Sequence, residues 1–106
     1  MLYKFKSRAA ADLLMLEPVG RRLLDILGRE PLDRGIFDAS DLPMLIQRLE
    51  QAIGQEEALL DQAEREAQAQ GQTISRPEVS LRQRLWPMLE MMRRCHAERQ
   101  SIVWGV

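Results

Sequence analysis

The side chains most able to support catalysis are a cysteine and a histidine that stand next to each other, Cys95 and His96. A thiol becomes a nucleophile when a nearby base removes its proton. The apolar periodicity around this pair predicts a helix, however, and adjacent residues of a helix point about 100° apart. The pair therefore fits a core thiol beside a boundary histidine better than a catalytic pair.

The acidic residues offer a second candidate, because Glu57, Asp61 and Glu64 recur at the spacing of one helix face. Paired carboxylates do acid–base work only where their environment separates their pKa values. Glutamine and charged residues surround these three, which predicts a solvated face rather than a divalent-cation site. With one cysteine and one histidine in the chain, we expect no disulfide, no metal and no cofactor.

A third candidate is the turn at Gly20, which Arg21 and Arg22 follow directly. Free backbone amides at the start of a helix attract anions, and two arginines would add positive charge. Against this, Glu17 repels an anion and Pro18 removes one amide donor. Ordinary helix initiation is the simpler interpretation, and a small anion or nucleotide-ligand site at Gly20, Arg21 and Arg22 is the alternative. No nucleophile, base and orienting group are assembled, so the sequence favours no catalytic residue and leans away from an enzyme.

Composition limits the partners. The 106 residues are 45% apolar and 29% charged, which predicts one folded domain over residues 1–106. The 15 basic and 16 acidic residues leave a net charge of -1, whereas nucleic-acid-binding domains are usually strongly basic. No run approaches the ~18 apolar residues of a membrane-spanning helix. We therefore expect neither a nucleic-acid nor a membrane partner.

The amino-terminal segment resembles a secretory signal, because basic residues precede an apolar run. Asp12 interrupts that run and Pro18 closes it early. The first residues also alternate as a strand does. A cytoplasmic location is the expectation, and the lone thiol of Cys95 fits a reducing compartment.

Four segments predict strands. Residues 2–6 alternate aromatic and basic side chains, which is the period of a strand with one wet face. Residues 13–16 are apolar at every position, which predicts burial on both faces. These two are close in sequence and predict an antiparallel hairpin. A last strand is predicted over residues 102–106 and a very short one over 35–37.

Two helices follow from start and stop signals. Pro18 suits the first turn of the first helix, and Gly28 supplies its left-handed end. The second helix begins at Ser40 or Asp41. Its apolar stripe comprises Leu42, Leu45, Ile46, Leu49 and Ile53.

A third helix begins at Ser80, which forms a capping box with Gln83. Pro87 lies inside this helix and predicts a kink there or a split near Trp86. Residues 68–79 lack apolar periodicity and predict a mobile loop. The element order indicates an α+β fold, a two-layer domain in which three helices pack on a small mixed sheet of three or four strands.

Three segments resemble a known family. They are MLYKFKS at the start, VSLRQRLWPMLEMMRR in the third helix and IVWGV at the end. Together they are similar to a small bacterial family, the domain of unknown function numbered 1840. The Leu-Trp-Pro segment and the Val-Trp-Gly-Val terminus are the most specific parts, and residues 51–78 offer little to match. The resemblance implies a single bacterial, cytoplasmic domain and carries no activity, cofactor or catalytic residue.

The strands also predict an interaction surface. Helices on one side of the sheet would leave part of the second strand uncovered, either Leu14 and Leu16 or Leu13 and Met15. Val103 would join whichever set faces outward. We take Leu13, Met15, Val103 and Trp104 as the candidate face. It predicts a non-catalytic interaction module, a homodimer or a protein-docking domain, and a long helix wrapped round the sheet is the rival interpretation.

Overall fold

The chain begins with an antiparallel hairpin in the computed structural model, which describes residues 2–74 and 79–106. Strand β1 is Leu2–Ser7 and strand β2 is Ala10–Leu16. Tyr3 lies opposite Met15 and Phe5 lies opposite Leu13. The alternation of aromatic and basic residues in β1 confirms the predicted strand, because Tyr3 and Phe5 are buried and Lys4 is exposed.

Three α-helices and two short strands complete the described part of the domain. Helix α1 is Glu17–Ile26, strand β3 is Gly35–Phe37 and a 3-10 turn follows at Ala39–Asp41. Helix α2 is Leu42–Ala69, helix α3 is Leu81–Ala97 and strand β4 is Ile102–Trp104. The α+β architecture with three helices is therefore confirmed.

The strands form a four-stranded sheet in the order β2-β1-β4-β3. Every pairing is antiparallel, so the expectation of a mixed sheet is wrong. The cause lies in the connections: the hairpin fixes β1 against β2, and the terminal strand enters between β1 and β3 in the opposite direction to both. Strand β2 is thus an edge strand.

The helix ends follow the local sequence closely. Gly28 has a φ of 71°, and the Arg29 amide donates to the Leu24 carbonyl at 2.8 Å, which terminates α1 in a Schellman motif. At α3 the predicted capping box is present between Ser80 and Gln83. Asp41 precedes α2 without a side-chain cap, because its carboxylate accepts a hydrogen bond from Arg29 instead.

The core lies between the helices and one face of the sheet. The sheet contributes Tyr3, Phe5, Met15, Phe37, Ile102 and Trp104, all buried. The predicted stripe of α2 meets them through Leu42, Leu45, Leu49 and Ile53, also buried. Full burial of each large side chain contributes roughly 1.5–3 kcal/mol, so this layer is a substantial part of the driving force for folding.

Three local expectations need correction. The second strand is not buried on both faces, because Leu14 and Leu16 are exposed. Helix α3 is continuous through Pro87, so it is not split near Trp86. Helix α2 continues to Ala69, so residues 68 and 69 of the loop predicted at 68–79 are helical. Residues 75–78 of that loop lie outside the described residues.

Two glycines inside helices lie in opposite environments. Gly20 is buried in α1, where an added Cβ would overlap the Tyr3 ring. Gly54 lies on the exposed side of α2, where a Cβ would meet open space. Glycine is required for close packing at the first position and only weakens the helix at the second.

This contrast gives a matched pair of predictions. Gly20→Ala should destabilise the protein by about 1–3 kcal/mol through overpacking against Tyr3. Gly54→Ala should stabilise it by about 0.5–1 kcal/mol through helix propensity alone. Chemical denaturation followed by far-UV circular dichroism measures both. A stabilising Gly20→Ala would contradict the packing of α1 on β1.

Candidate functional site

The structure separates the two groups of the candidate catalytic pair. Cys95 is completely buried in the core, whereas His96 is exposed on α3. Their positions agree with the predicted core thiol beside a boundary histidine. The arrangement gives the thiol no base to activate it.

The candidate carboxylates are held by local contacts. Glu57 accepts hydrogen bonds from the Arg82 guanidinium, 3.3 Å away at Nη2, and this contact lowers the pKa of Glu57 and raises that of Arg82. Asp61 and Glu64 also have interactions of their own. Residues 2–74 and 79–106 contain no group of three or more side chains placed to bind a metal ion.

The candidate anion site is divided among different surroundings. Helix α1 begins at Glu17, so Gly20 lies within the helix against Tyr3 rather than in an open turn. Arg21 Nε donates to Glu17 Oε1 at 2.9 Å, and this bond lowers the pKa of Glu17. Arg22 lines a separate groove of about 420 Å³. The three residues therefore do not converge on one point.

Trp86 on α3 contacts two arginines of the same helix, and these arginines also bind α2. The guanidinium carbons of Arg82 and Arg93 lie 5.1 and 5.2 Å from the centre of the Trp86 ring. Arg82 also binds Glu57, and Arg93 lies 3.4 Å from Glu50, both on α2. These contacts position α3 against α2, and Arg82 and Trp86 also line a shallow groove of about 410 Å³ with Gln83 and Pro87.

The candidate interaction face is only partly on the surface. Met15 and Trp104 are 5% and 3% exposed, so their assignment to that face is wrong. Leu13 is half-buried against the core. Val103 is half-buried but lies opposite Lys6 and Ile36, on the side of the sheet away from the helices.

That side carries a row of apolar residues, and it includes Leu14 and Leu16, the alternative pair of the second strand. Leu14 and Leu16 are 55% and 68% exposed, and Leu2 and Ile36 are exposed as well. Their neighbours along each strand point into the core. Because side chains alternate along a strand, these residues lie on the face of the sheet away from the helices. We call this surface the outer face; it comprises Leu2, Lys4, Lys6, Asp12, Leu14, Leu16, Ile36 and Val103.

Charged residues interrupt the apolar part of the outer face. Lys4 lies 3.5 Å from Asp12, and both side chains are about half exposed. Lys6 forms no ion pair with another residue of the described chain. The outer face thus combines aliphatic side chains with charges of both signs.

The sequence comparison bears on identity. The profile of DUF1840, a domain of unknown function, matches residues 1–104. The chain belongs to the DUF1840 family. This result confirms the resemblance found in the terminal segments and in the third helix.

The other comparisons add no relative to the DUF1840 assignment. Neither a curated protein nor a solved structure matched the chain. Among the described helices, none combines the length and apolar character needed to cross a membrane. Any function of this DUF1840 member must therefore be argued from its own surfaces.

The buried thiol yields a chemical prediction. Cys95 should react with an aromatic disulfide reagent only after the protein is unfolded, because the reagent has no access to a core sulfur. Absorbance at neutral pH, with and without denaturant, follows the reaction. The variant Ala97→Cys adds a thiol at an exposed position of α3 and should react at once. Rapid reaction of Cys95 in the native protein would place it outside the core.

The Glu57–Arg82 contact yields a pH prediction. Because Arg82 lowers the pKa of Glu57 below 4.5, the contact stabilises the fold at neutral pH and loses this effect as pH falls below that value. Glu57→Gln should lower the melting temperature at pH ~7 and lower it less at pH ~3, as the carboxyl becomes protonated. Glu66→Gln, on the same helix and hydrogen-bonded to Gln62 rather than to an arginine, is the control. An equal effect of Glu57→Gln at both pH values would contradict this assignment.

Proposed function

We propose that this protein is a non-catalytic interaction module that forms a homodimer through the outer face of its sheet. The observation that carries the proposal is the exposure of Leu2, Leu14, Leu16 and Ile36 on a sheet face that no described helix covers. An antiparallel sheet can expose one face to water, but the side chains on that face are normally polar. Four large aliphatic residues on it indicate a surface that is covered in use.

The charges on the outer face support a second copy as its partner. A two-fold dimer brings the same surface of both copies together, so the surface must be self-complementary. Asp12 pairs with Lys4 of its own copy, and Lys6 has an ammonium group with no ion pair within the described residues. In a dimer, Lys6 of one copy can add to the Lys4–Asp12 pair of the other around the aliphatic residues.

The size of the outer face predicts the strength of the dimer. Strands of six, seven, three and three residues, at about 3.3 Å per residue and about 4.8 Å apart, give a flat area near 300 Å² per copy, or about 600 Å² for two. Stable interfaces bury about 1,200–2,000 Å² in total, so this flat area is below that range and predicts a weak dimer. We expect a dimer that dissociates in the micromolar range.

The cellular location of the protein is part of the same proposal. A bacterial and cytoplasmic location is supported by the family resemblance and by the lone cysteine, Cys95. Its thiol is buried and suits a reducing compartment. Self-association there would need no cofactor.

The oligomeric state tests the proposal. Sedimentation velocity from about 1 to 200 μM should show a species of 12.3 kDa giving way to one of twice that mass. Leu14→Lys should abolish the larger species, because a charge at this position cannot be desolvated without cost. Leu59→Lys, at a leucine 66% exposed on α2, is the matched control and should dimerise normally. A monomer at every concentration would overturn the proposal.

A further inference from the structure

A polar groove of about 500 Å³ lies at the end of the sheet where the β1–β2 hairpin turns. Because β1 and β4 run antiparallel, the end of β1 lies beside the start of β4. The groove is therefore built from the hairpin, from β4 and from the connection between α3 and β4. Its lining residues are Lys6, Ser7, Arg8, Asp12, Arg99, Gln100, Ser101 and Val103.

Positive charge dominates this groove. Lys6, Arg8 and Arg99 each contribute a cation, and none of them forms an ion pair within the described residues. Among the described lining residues the one acid is Asp12, whose carboxylate already lies 3.5 Å from Lys4 Nζ. Three cations around one concavity repel each other, and an anion between them removes that repulsion. The groove therefore has the charge of an anion site.

Two serines add hydrogen-bond donors to the cations. Ser7 Oγ accepts from the Ala9 amide at 3.3 Å, and Ser101 Oγ accepts from the Ala39 amide at 3.2 Å. These bonds leave each hydroxyl proton available to donate, and neither hydroxyl donates within the described residues. A phosphate group has three strong acceptor oxygens, whereas a carboxylate has two. The excess of donors therefore suits a phosphate group better than a carboxylate.

The backbone of Arg99 is in a conformation that favours glycine. Among the described residues other than glycine, Arg99 alone has a positive φ, of 57°. It follows the C-cap of α3, where the Gln100 amide donates to the Cys95 carbonyl at 2.8 Å in a Schellman motif. Gly28 occupies the equivalent position after α1. An arginine here brings a guanidinium to the groove at a cost in local stability, a pattern that is common at functional sites.

The remainder of the groove is suited to a hydroxylated molecule. Its volume is in the range of small-molecule sites and exceeds the space that one phosphate group needs. The Gln100 and Asp12 side chains line it and offer oxygens that accept hydrogen bonds from hydroxyl groups. No aromatic ring is among the described lining residues, so a nucleotide base has nothing to stack on.

We propose that this groove binds a phosphorylated sugar, with its phosphate group held by Lys6, Arg8 and Arg99. The hydroxyls of Ser7 and Ser101 complete the set of donors around the phosphate oxygens. All of these residues belong to one copy of the chain, so the site does not depend on the homodimer. A protein that stays monomeric at every concentration would therefore still bind the ligand.

Thermal unfolding of dilute protein with glucose 6-phosphate tests the proposal. The ionic strength is held constant with potassium chloride, so that general screening does not change. The ligand should raise the melting temperature in a saturable way, by about 5 °C at ten times its Kd. Glucose without the phosphate should have no effect. Adenosine 5′-monophosphate should bind more weakly than glucose 6-phosphate, because its base has no ring to stack on.

Variants separate binding from folding. Arg99→Gly should raise the melting temperature of the ligand-free protein, because glycine adopts the left-handed conformation freely. The same change should weaken the binding of glucose 6-phosphate at least about fivefold, because hydrogen bonds to a charged group are lost. Arg8→Gln, an exposed change in the hairpin turn, should weaken binding to a similar extent. Arg65→Gln removes one charge from an exposed position of α2 outside the groove and should leave the Kd unchanged.

Four results would overturn the proposal. The first is the lack of a saturable rise in melting temperature up to about 10 mM glucose 6-phosphate. The second is an unchanged Kd in both Arg99→Gly and Arg8→Gln. The third is an equal loss of affinity in Arg65→Gln, which would show that the ligand responds only to net charge. The fourth is tighter binding of adenosine 5′-monophosphate than of the sugar phosphate.

Discussion

The structure depends on a cluster of aromatic rings that three helices bury from one side of the sheet. Tyr3, Phe5, Phe37 and Trp104 stand in sequence across three strands, with ring centres 4.8 to 6.2 Å apart. All four point toward the helices and are almost fully buried. Because side chains alternate along a strand, filling this layer forces the remaining residues of each strand to the other side. The exposed aliphatic residues of the outer face are the direct consequence.

The contacts between α2 and α3 decide what lies beside the edge strand. Trp86 is held between two arginines, each of which also binds a glutamate of α2. This fixes the rotation of α3 about its axis. The face of α3 that carries Leu85, Met88 and Met92 then packs into the core. The turn with Glu90 and Arg94 is left along the rim next to β2. The rotation of α3 therefore decides both which of its residues fill the core and which lie along the rim beside β2.

The sequence alone predicts the features that depend on neighbouring residues. The aromatic alternation of β1, the ends of α1 at Pro18 and Gly28, and the capping box at Ser80 each depend on neighbouring residues, and each is present. The sequence alone does not predict which side chains face the core when this depends on the packing of distant elements. Residues 13–16 are apolar throughout, so no alternation shows which of them face outward; only the position of the helices settles that Met15 is buried and Leu14 exposed. Gly20 resembles a turn residue locally, and its contact with the Tyr3 ring, 17 positions away in the chain, has no local signal.

Hydroxyl-radical footprinting with mass spectrometry tests the one-sided sheet most directly, because it compares neighbouring residues of a single strand. Methionine is intrinsically far more easily oxidised than leucine. The structure nevertheless predicts that Met15 is protected while Leu14 and Leu16 are modified in dilute protein. It predicts further that labelling of Leu14 and Leu16 falls as the protein concentration rises and the outer faces meet. Rapid oxidation of Met15 with protection of both leucines in the dilute monomer would contradict the account.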